Sequence, residues 1–141
     1  MADAPTPEEM AATHAAAFTQ SRPWSAEEFA ALLNSSLTFA AGDARCFALV
    51  RVVADEAELL TIATDPAHQR QGLARRAMDT WQHAAAARGA SEAFLEVAAD
   101  NMPAQALYQS CGFAHCGRRA GYYARKDAPA VDAVLMRRSL R

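Results

Sequence analysis

Apolar positions follow two different spacings along the chain, and the change of spacing separates the predicted helices from the predicted strands. Pro7–Phe18 and Ser25–Leu33 each open with capping-box residues and are predicted to be helices, with a break between them at Gln20–Pro23. Beyond Asn34 the apolar residues take strand spacing. The predicted strands are Ser36–Ala40, Cys46–Val53, Glu58–Thr64, Ser91–Val97, Phe113–Arg118 and Val131–Met136.

Two further helices interrupt these strands. A long helix is predicted over Gly72–Arg88, and a short one starts near Asn101–Pro103 and ends at Gly112. The resulting order predicts an α/β chain that forms a single domain over residues 1–141, with residues 1–6 as a loose N-terminus. Because the long helix joins two buried strands, we expect those strands to pair in parallel. A loop is predicted at 124–130, around Arg125–Pro129, between the last two strands.

Composition narrows the class of protein. The chain has 141 residues, 52% hydrophobic and 21% charged, which favours a packed core over disorder. Its formal net charge of -2 gives no general attraction to nucleic acid or to an anionic membrane, and no run of about 18 apolar residues is free of charge. The start of the chain is acidic, unlike a secretory signal. Three cysteines without a CxxC pair indicate reduced thiols, so we expect a cytoplasmic protein without a metal site.

The segment Gln69–Ala74 lies between a predicted strand and the long predicted helix. A helix start presents unpartnered backbone N–H groups and a partial positive charge, which phosphate groups bind. Gly72 allows a ligand close to the backbone, and Arg70, Arg75 and Arg76 add positive charge. The segment is neither a GxxxxGK[ST] nor a GxGxxG turn. On these grounds alone it is either a phosphate site or an ordinary solvated turn.

The same segment matches the Q/R-x-x-G-x-G/A motif, and over about residues 23–137 the chain resembles the GCN5-related N-acetyltransferases. In that family the turn binds the pyrophosphate of acetyl-coenzyme A, and the preceding strand bonds its pantetheine arm. The resemblance implies acetyl-coenzyme A as cosubstrate and a central mixed, mostly antiparallel sheet, with a parallel pair splayed at the cofactor site and about four flanking helices. The cofactor-binding residues it implies are Ile62, Ala63, Thr64, Arg70, Gln71, Gly72, Leu73, Ala74, Arg75, Asn101 and Tyr108.

Glu96 and Tyr108 are the candidate catalytic residues. Glu96 lies within an apolar strand, on the face opposite Ala93, Leu95 and Val97, where a carboxylate is costly unless it is paired or solvated. A structural ion pair with Arg51 is the alternative to a role as general base. Tyr108, taken alone, is more typical of a core aromatic than of a functional residue. The family resemblance implies that Glu96 is the base, acting through water, and that Tyr108 protonates the departing thiolate.

Three aromatic residues are the candidates for acceptor binding. Trp24 lies between the first two helices, where it either lines a groove or anchors the helices. Tyr122 and Tyr123 lie between the last two predicted strands and are either packing residues or a wall of the substrate site. Asn101 can cap its helix or, by resemblance, bond a pantetheine amide.

Several short stretches resemble the members of the family that acetylate the N-termini of proteins, including the N-terminus of a ribosomal protein. These are Pro23-Trp24-Ser25, Leu95-Glu96-Val97 with Asn101, Ala106-Leu107-Tyr108, Gly112-Phe113 and Tyr122-Tyr123. The resemblance implies transfer to a protein or peptide N-terminus by a monomer or weak dimer that contacts neither nucleic acid nor membrane. An acetyltransferase for small-molecule amines or lysine side chains, and a coenzyme-binding module without catalysis, are the alternatives.

Overall fold

The computed structural model describes residues 4–18 and 22–141, in which four α-helices accompany six strands. The helices are α1 Pro7–Ala17, α2 Ala26–Leu33, α3 Leu73–Ala87 and α4 Met102–Ser110, and a short 3-10 helix spans Pro66–His68. The strands are β1 Thr38–Asp43, β2 Cys46–Val53, β3 Glu56–Thr64, β4 Glu92–Ala98, β5 Ala114–Arg125 and β6 Ala128–Ser139. The predicted α/β fold and its four helices are confirmed.

The strands form one sheet in the order β1-β2-β3-β4-β6-β5. Neighbouring strands are antiparallel except for β3 and β4, which are parallel and joined through α3, as predicted. The parallel pairing is short, because it joins only Glu56–Glu58 to Glu92–Phe94. Beyond these residues the two strands part, so the second half of β3 has no partner on its β4 side.

A β-bulge accompanies this separation. Leu49 lies opposite Thr61 and Val50 lies opposite Leu59, so Leu60 is an extra residue in β3. A bulge bends its strand and increases the local twist. Leu60 follows two residues after the last parallel pair at Glu58, so the bend falls where β3 leaves β4.

Each face of the sheet packs on a different pair of helices. On one face α3 and α4 cover a core that includes Trp81, Met78 and Tyr108. On the other face α1 and α2 cover β2 and the end of β3, with Met10 and Phe29 fully buried. Strand β4 alternates as predicted: Ala93, Leu95 and Val97 are buried, whereas Phe94 and Glu96 are partly exposed.

The N-terminal helices begin as their sequence predicts. Both α1 and α2 have complete capping boxes, with Thr6 and Ser25 as the capping residues. Residues 1–3 of the predicted loose segment 1–6, and residues 19–21 at the predicted break Gln20–Pro23, lie outside the described part of the chain.

Two boundary predictions are wrong. The predicted loop around Arg125–Pro129 is part of a long hairpin, since β5 and β6 run to the two-residue turn at 126–127. Nearly all of β5 is exposed, so its outer half lacks the apolar periodicity that marks a buried strand. Strand β1 also continues beyond its predicted end at Ala40, through Gly42: the φ of Gly42 is +101°, and an added Cβ would clash with the Cys46 carbonyl oxygen.

Candidate active site

The start of α3 differs from the starts of the other three helices. Side chains of Thr6, Ser25 and Asn101 cap α1, α2 and α4, but α3 begins at Gly72 without a side-chain cap. The first intrahelical bond runs from the Arg76 N–H to the Gly72 carbonyl, at 3.1 Å. The N–H groups just before Arg76 therefore face outward at the positive end of the helix dipole, an arrangement that binds anions.

The backbone of this turn is shaped for close approach. Gly72 has a φ of +74°, and a Cβ added to it would meet no atom of the chain within 4 Å. Arg70 also has a positive φ, of 64°, a conformation that costs a non-glycine residue free energy. Gln71 is exposed, Leu73 is buried against Ala77, and Ala74 is half-buried.

Arg75 has a partner within the chain. Its guanidinium donates to the Ser110 hydroxyl at 2.9 Å and to the Ser110 carbonyl at 3.3 Å, so it ties the start of α3 to the end of α4. The structure thus gives Arg75 a structural role, and its predicted contact with the cofactor remains a prediction.

Strand β3 presents a free edge beside this turn. Ile62, Ala63 and Thr64 pair with β2 on one side and have no strand on the other. Ala63 is buried beneath α1 and α2, while Thr64 donates to the Cys46 sulfur at 3.2 Å. Unpaired backbone groups along an edge bind an extended ligand as an added strand would.

Glu96 lies in an open groove of about 390 Å³ on the face of the sheet that carries α1 and α2. The groove is also lined by Arg51, Glu58, Phe94, Arg119 and Leu135. The Glu96 carboxylate forms an ion pair with Arg119 at 3.1 Å, and its side chain is 21% exposed. The alternative partner considered from the sequence, Arg51, instead binds Glu58 at 2.8 Å.

Two tyrosines lie near this carboxylate: Tyr123 is within electrostatic range of Glu96, and Tyr108 is within electrostatic range of Tyr123. Burial raises the pKa of Tyr123 to about 12, and the neighbouring Glu96 charge adds to the effect. Burial, followed by the influence of Tyr123, raises the pKa of Tyr108 well above its usual range. Both hydroxyls therefore stay protonated at neutral pH. Tyr123 therefore lies within electrostatic range of both Glu96 and Tyr108, although the three residues come from β5, β4 and α4.

Tyr108 is buried, and its hydroxyl has no hydrogen-bond partner among the described residues. The ring is only 6% exposed and packs edge-on against Phe113. The Tyr108 hydroxyl forms no hydrogen bond to another described residue. It is also absent from the fully enclosed polar atoms of the described residues, all of which have a partner. With no partner among the described residues, the hydroxyl is free to donate to a ligand.

The end of β4 is fastened to α4 and to the hairpin. Asn101 caps α4 by accepting from the Ala104 N–H at 3.2 Å, which leaves its amide nitrogen available. The buried Gln105 amide donates to the carbonyl of Ala98. Asp100 accepts two bonds from Arg125, at 2.8 and 3.1 Å. These bonds fix β5, and with it Tyr122 and Tyr123, beside Glu96.

The three residues predicted to bind the acceptor lie in two different parts of the fold: Tyr122 and Tyr123 in β5, and Trp24 before α2. Tyr122 is 53% exposed, and its ring meets Tyr123 edge-on at 5.1 Å. Both lie within β5 rather than in a loop between strands, which corrects that part of the prediction. Trp24 is half-buried and packs on Phe29, so the structure supports the anchoring interpretation for it. Its part in acceptor binding remains a prediction.

His14 holds the Trp24 backbone in place. The Trp24 N–H donates to His14 Nδ1 at 3.1 Å, and the two rings stack with centroids 5.3 Å apart. Burial lowers the pKa of His14 to about 4, against the opposing charge of Glu28. The ring is therefore neutral at physiological pH, and Nδ1 can accept the bond. Sequence reasoning missed this residue, because a histidine on an alanine-rich helix gives no sign of its partner.

Arg119 was also missed. It is one of several arginines in a strand whose outer half was not predicted, and only the three-dimensional pairing links it to Glu96. Within residues 4–18 and 22–141, no cluster of three His, Cys, Asp or Glu residues is placed to hold a metal ion. None of the helices described is long and apolar enough to span a membrane.

Comparison with known proteins gives consistent matches. Residues 8–113 match the acetyltransferase (GNAT) family model, which ends just before β5. The chain is 41% identical over 119 residues to the [ribosomal protein bS18]-alanine N-acetyltransferase of Escherichia coli K12, covering 81% of this chain and 79% of that protein. The E. coli ribosomal-protein-S18-alanine N-acetyltransferase structure superimposes with a TM-score of 0.84 at 32% identity, covering 95% of this chain and 87% of that one. Arabidopsis thaliana NAA60 in complex with acetyl-CoA shares the fold, with a TM-score of 0.81 at 16% identity over 95% and 93% of the two chains.

Proposed function

Since the chain belongs to the GNAT acetyltransferase family, we propose that it transfers an acetyl group from acetyl-coenzyme A to the N-terminal α-amine of a protein. The observation that carries this proposal is the opening between β3 and β4. The uncapped start of α3 follows the end of β3 that borders this opening, and Glu96 lies beyond the last parallel pair, in the part of β4 that borders it from the other side.

The residues around this opening fit the coenzyme. Outward N–H groups at the start of α3 suit a pyrophosphate, and Gly72 leaves room for it. The free edge of β3 at Ile62, Ala63 and Thr64 suits an amide-containing arm, and the Asn101 amide nitrogen is available to it. Gln71, Leu73 and Ala74 contribute to the turn. Acetyl-coenzyme A supplies an activated thioester there.

Glu96 is proposed to accept the proton of the acceptor amine, directly or through a water molecule. An amine attacks a thioester only when it is neutral, and a partly desolvated carboxylate in an open groove is placed to remove the proton. Tyr108 is proposed to donate its proton to the departing thiolate, because its hydroxyl stays protonated and bonds to no described residue. Amine and coenzyme bind together, so no acetylated enzyme is needed.

The acceptor is proposed to be an alanine-first N-terminus, as in the names of the E. coli relatives. A ribosomal protein is then the partner and the cytoplasm the compartment, and the three cysteines, all free, fit reducing conditions there. An α-amine has a pKa of about 8 and a lysine amine one of about 10.4, so an α-amine is far easier to deprotonate. Tyr122 and Tyr123 are proposed to hold the acceptor backbone.

A panel of acceptors tests this proposal. We expect an alanine-first peptide to be acetylated at its α-amine at pH 7, with kcat/KM at least about 100-fold above that for the same peptide offering only a lysine amine, because far more α-amine is neutral. Mass spectrometry locates the acetyl group. Faster turnover of lysine or of a polyamine would instead support the small-molecule or lysine alternative. Coenzyme binding without turnover of any acceptor would indicate a non-catalytic module.

Replacement of Gly72 tests the anion site. Gly72→Ala is expected to weaken acetyl-coenzyme A binding about tenfold to a hundredfold, the equivalent of losing one charge-assisted hydrogen bond. Gly89→Ala is the matched control, because Gly89 lies at the other end of α3 with a φ of +96° and equally open space around an added Cβ. Both variants carry similar backbone strain. Calorimetric titration should show equal coenzyme affinities only if the turn does not bind phosphate.

A further inference from the structure

The ion pair between Arg119 and Glu96 is looser than the others in the described part of the chain. Six ion pairs occur there, and five have nitrogen–oxygen distances of 2.7 or 2.8 Å, whereas Arg119 Nη2 lies 3.1 Å from Glu96 Oε1. The Arg119 side chain is 55% exposed, so water reaches it from the groove. A long, partly exposed pair of this kind costs little to separate.

Arg119 has a second interaction partner in the Tyr122 ring. Its guanidinium carbon lies 5.4 Å from the centre of the Tyr122 ring, within range of a cation–π contact. The other groove arginine, Arg51, is held at 2.8 Å by Glu58. Arg119 is thus the groove cation that can leave Glu96 and keep a favourable partner.

The acceptor brings a competing cation to the same carboxylate. At neutral pH most of an α-amine is ammonium, since its pKa is about 8, and this cation must approach Glu96 before losing a proton. After transfer the nitrogen is a neutral amide, and no cation from the acceptor remains near the carboxylate. Two cations are therefore available to Glu96 in turn, one from Arg119 and one from the substrate.

We propose that Arg119 is the resident counter-ion of Glu96, displaced by the acceptor ammonium and restored when the neutral amide has formed. This inference rests on the proposed function. Arg119 is then a positioning residue: it holds the Glu96 carboxylate in place between turnovers, and it competes with the acceptor ammonium but not with the neutral amide product. The groove groups that also face Glu96 are Tyr123, Arg51 and Glu58.

Calorimetric binding of three ligands to the coenzyme A complex tests the displacement. The ligands are an alanine-first hexapeptide, the same peptide without its α-amino group, and its N-acetylated product. In Arg119→Gln we expect the free-amine peptide to bind about twofold to fivefold more tightly, the worth of a partly exposed ion pair. The two uncharged ligands should bind as they do to the wild-type protein, which a merely structural role would not produce.

Two variants serve as controls. Arg119→Lys keeps a cation beside Glu96 and should bind the three ligands with wild-type affinities. Arg51→Gln removes a groove cation that binds Glu58 and not Glu96, so it should also retain the wild-type affinities. Weaker binding of the free-amine peptide to Arg119→Gln, or an equal change for all three ligands, would overturn the inference alone. Wild-type protein that binds none of the peptides would overturn the proposed function and this inference with it.

Discussion

Glu96→Gln is expected to lower kcat/KM for an alanine-first peptide about a hundredfold to ten-thousandfold, the usual contribution of a general base. The glutamine keeps the shape of the side chain in β4 but cannot take a proton from the acceptor. Binding of acetyl-coenzyme A should be unchanged, because the coenzyme is proposed to lie along β3 and the start of α3. Steady-state kinetics and calorimetry on the same preparation measure both quantities.

Glu58→Gln is the matched control for this loss. Glu58 lines the same groove and is also paired with an arginine, but it lies where β3 and β4 still pair, away from Tyr123 and Tyr108. We expect its turnover to stay within a few-fold of wild type. Equal losses in both variants would show that groove charge, and not a base at Glu96, controls the rate.

Tyr108→Phe is expected to lower kcat by about a hundredfold or more, the range for a lost general acid, with little change in KM. Removing the hydroxyl leaves the ring against Phe113, and since the oxygen bonds to no described residue, the free energy of unfolding should barely change. Thermal unfolding and single-turnover kinetics separate these effects. If Tyr108→Phe kept the wild-type kcat, Tyr108 would have only a packing role in the core.

Cys111→Ala serves as the comparison on the same helix end. Cys111 is buried in the same core as Tyr108, and its thiol is the other group there that could carry an acetyl group. Because direct transfer needs no acetyl-cysteine, this variant should lose some stability but retain its rate per folded molecule. A large rate loss would point to a covalent path.

The buried half of the fold was predictable because it depends on helix caps between neighbouring residues and on regular spacing of apolar residues. Capping boxes set the starts of α1 and α2, and alternation in β4 placed Glu96 opposite its buried neighbours. The parallel pairing followed from a helix joining two buried strands. These features depend on residues a few positions apart, which a sequence displays directly.

The site's electrostatic connections were not predictable in the same way. Glu96 and Arg119 are separated by more than twenty positions, and β5 lies at the sheet edge, where exposed polar residues carry no strand signal. The outer end of the hairpin was therefore predicted to be a loop around Arg125–Pro129, and Arg51 was the partner considered for Glu96. Gln82 shows a related limit: a glutamine is typical of an exposed helix face, but Gln82 is buried in α3, where it accepts a bond from Arg138 at 2.6 Å.

The uncapped start of α3 has a consequence for the lifetime of the protein. An anion bound at an uncapped helix start takes the place of the missing cap, so the coenzyme, bound there as proposed, would complete this part of the fold. At a free coenzyme concentration about 100 times its Kd, binding adds roughly 2.7 kcal/mol to the free energy of unfolding. Added acetyl-coenzyme A should then slow proteolysis of this protein as well as supply its acetyl group.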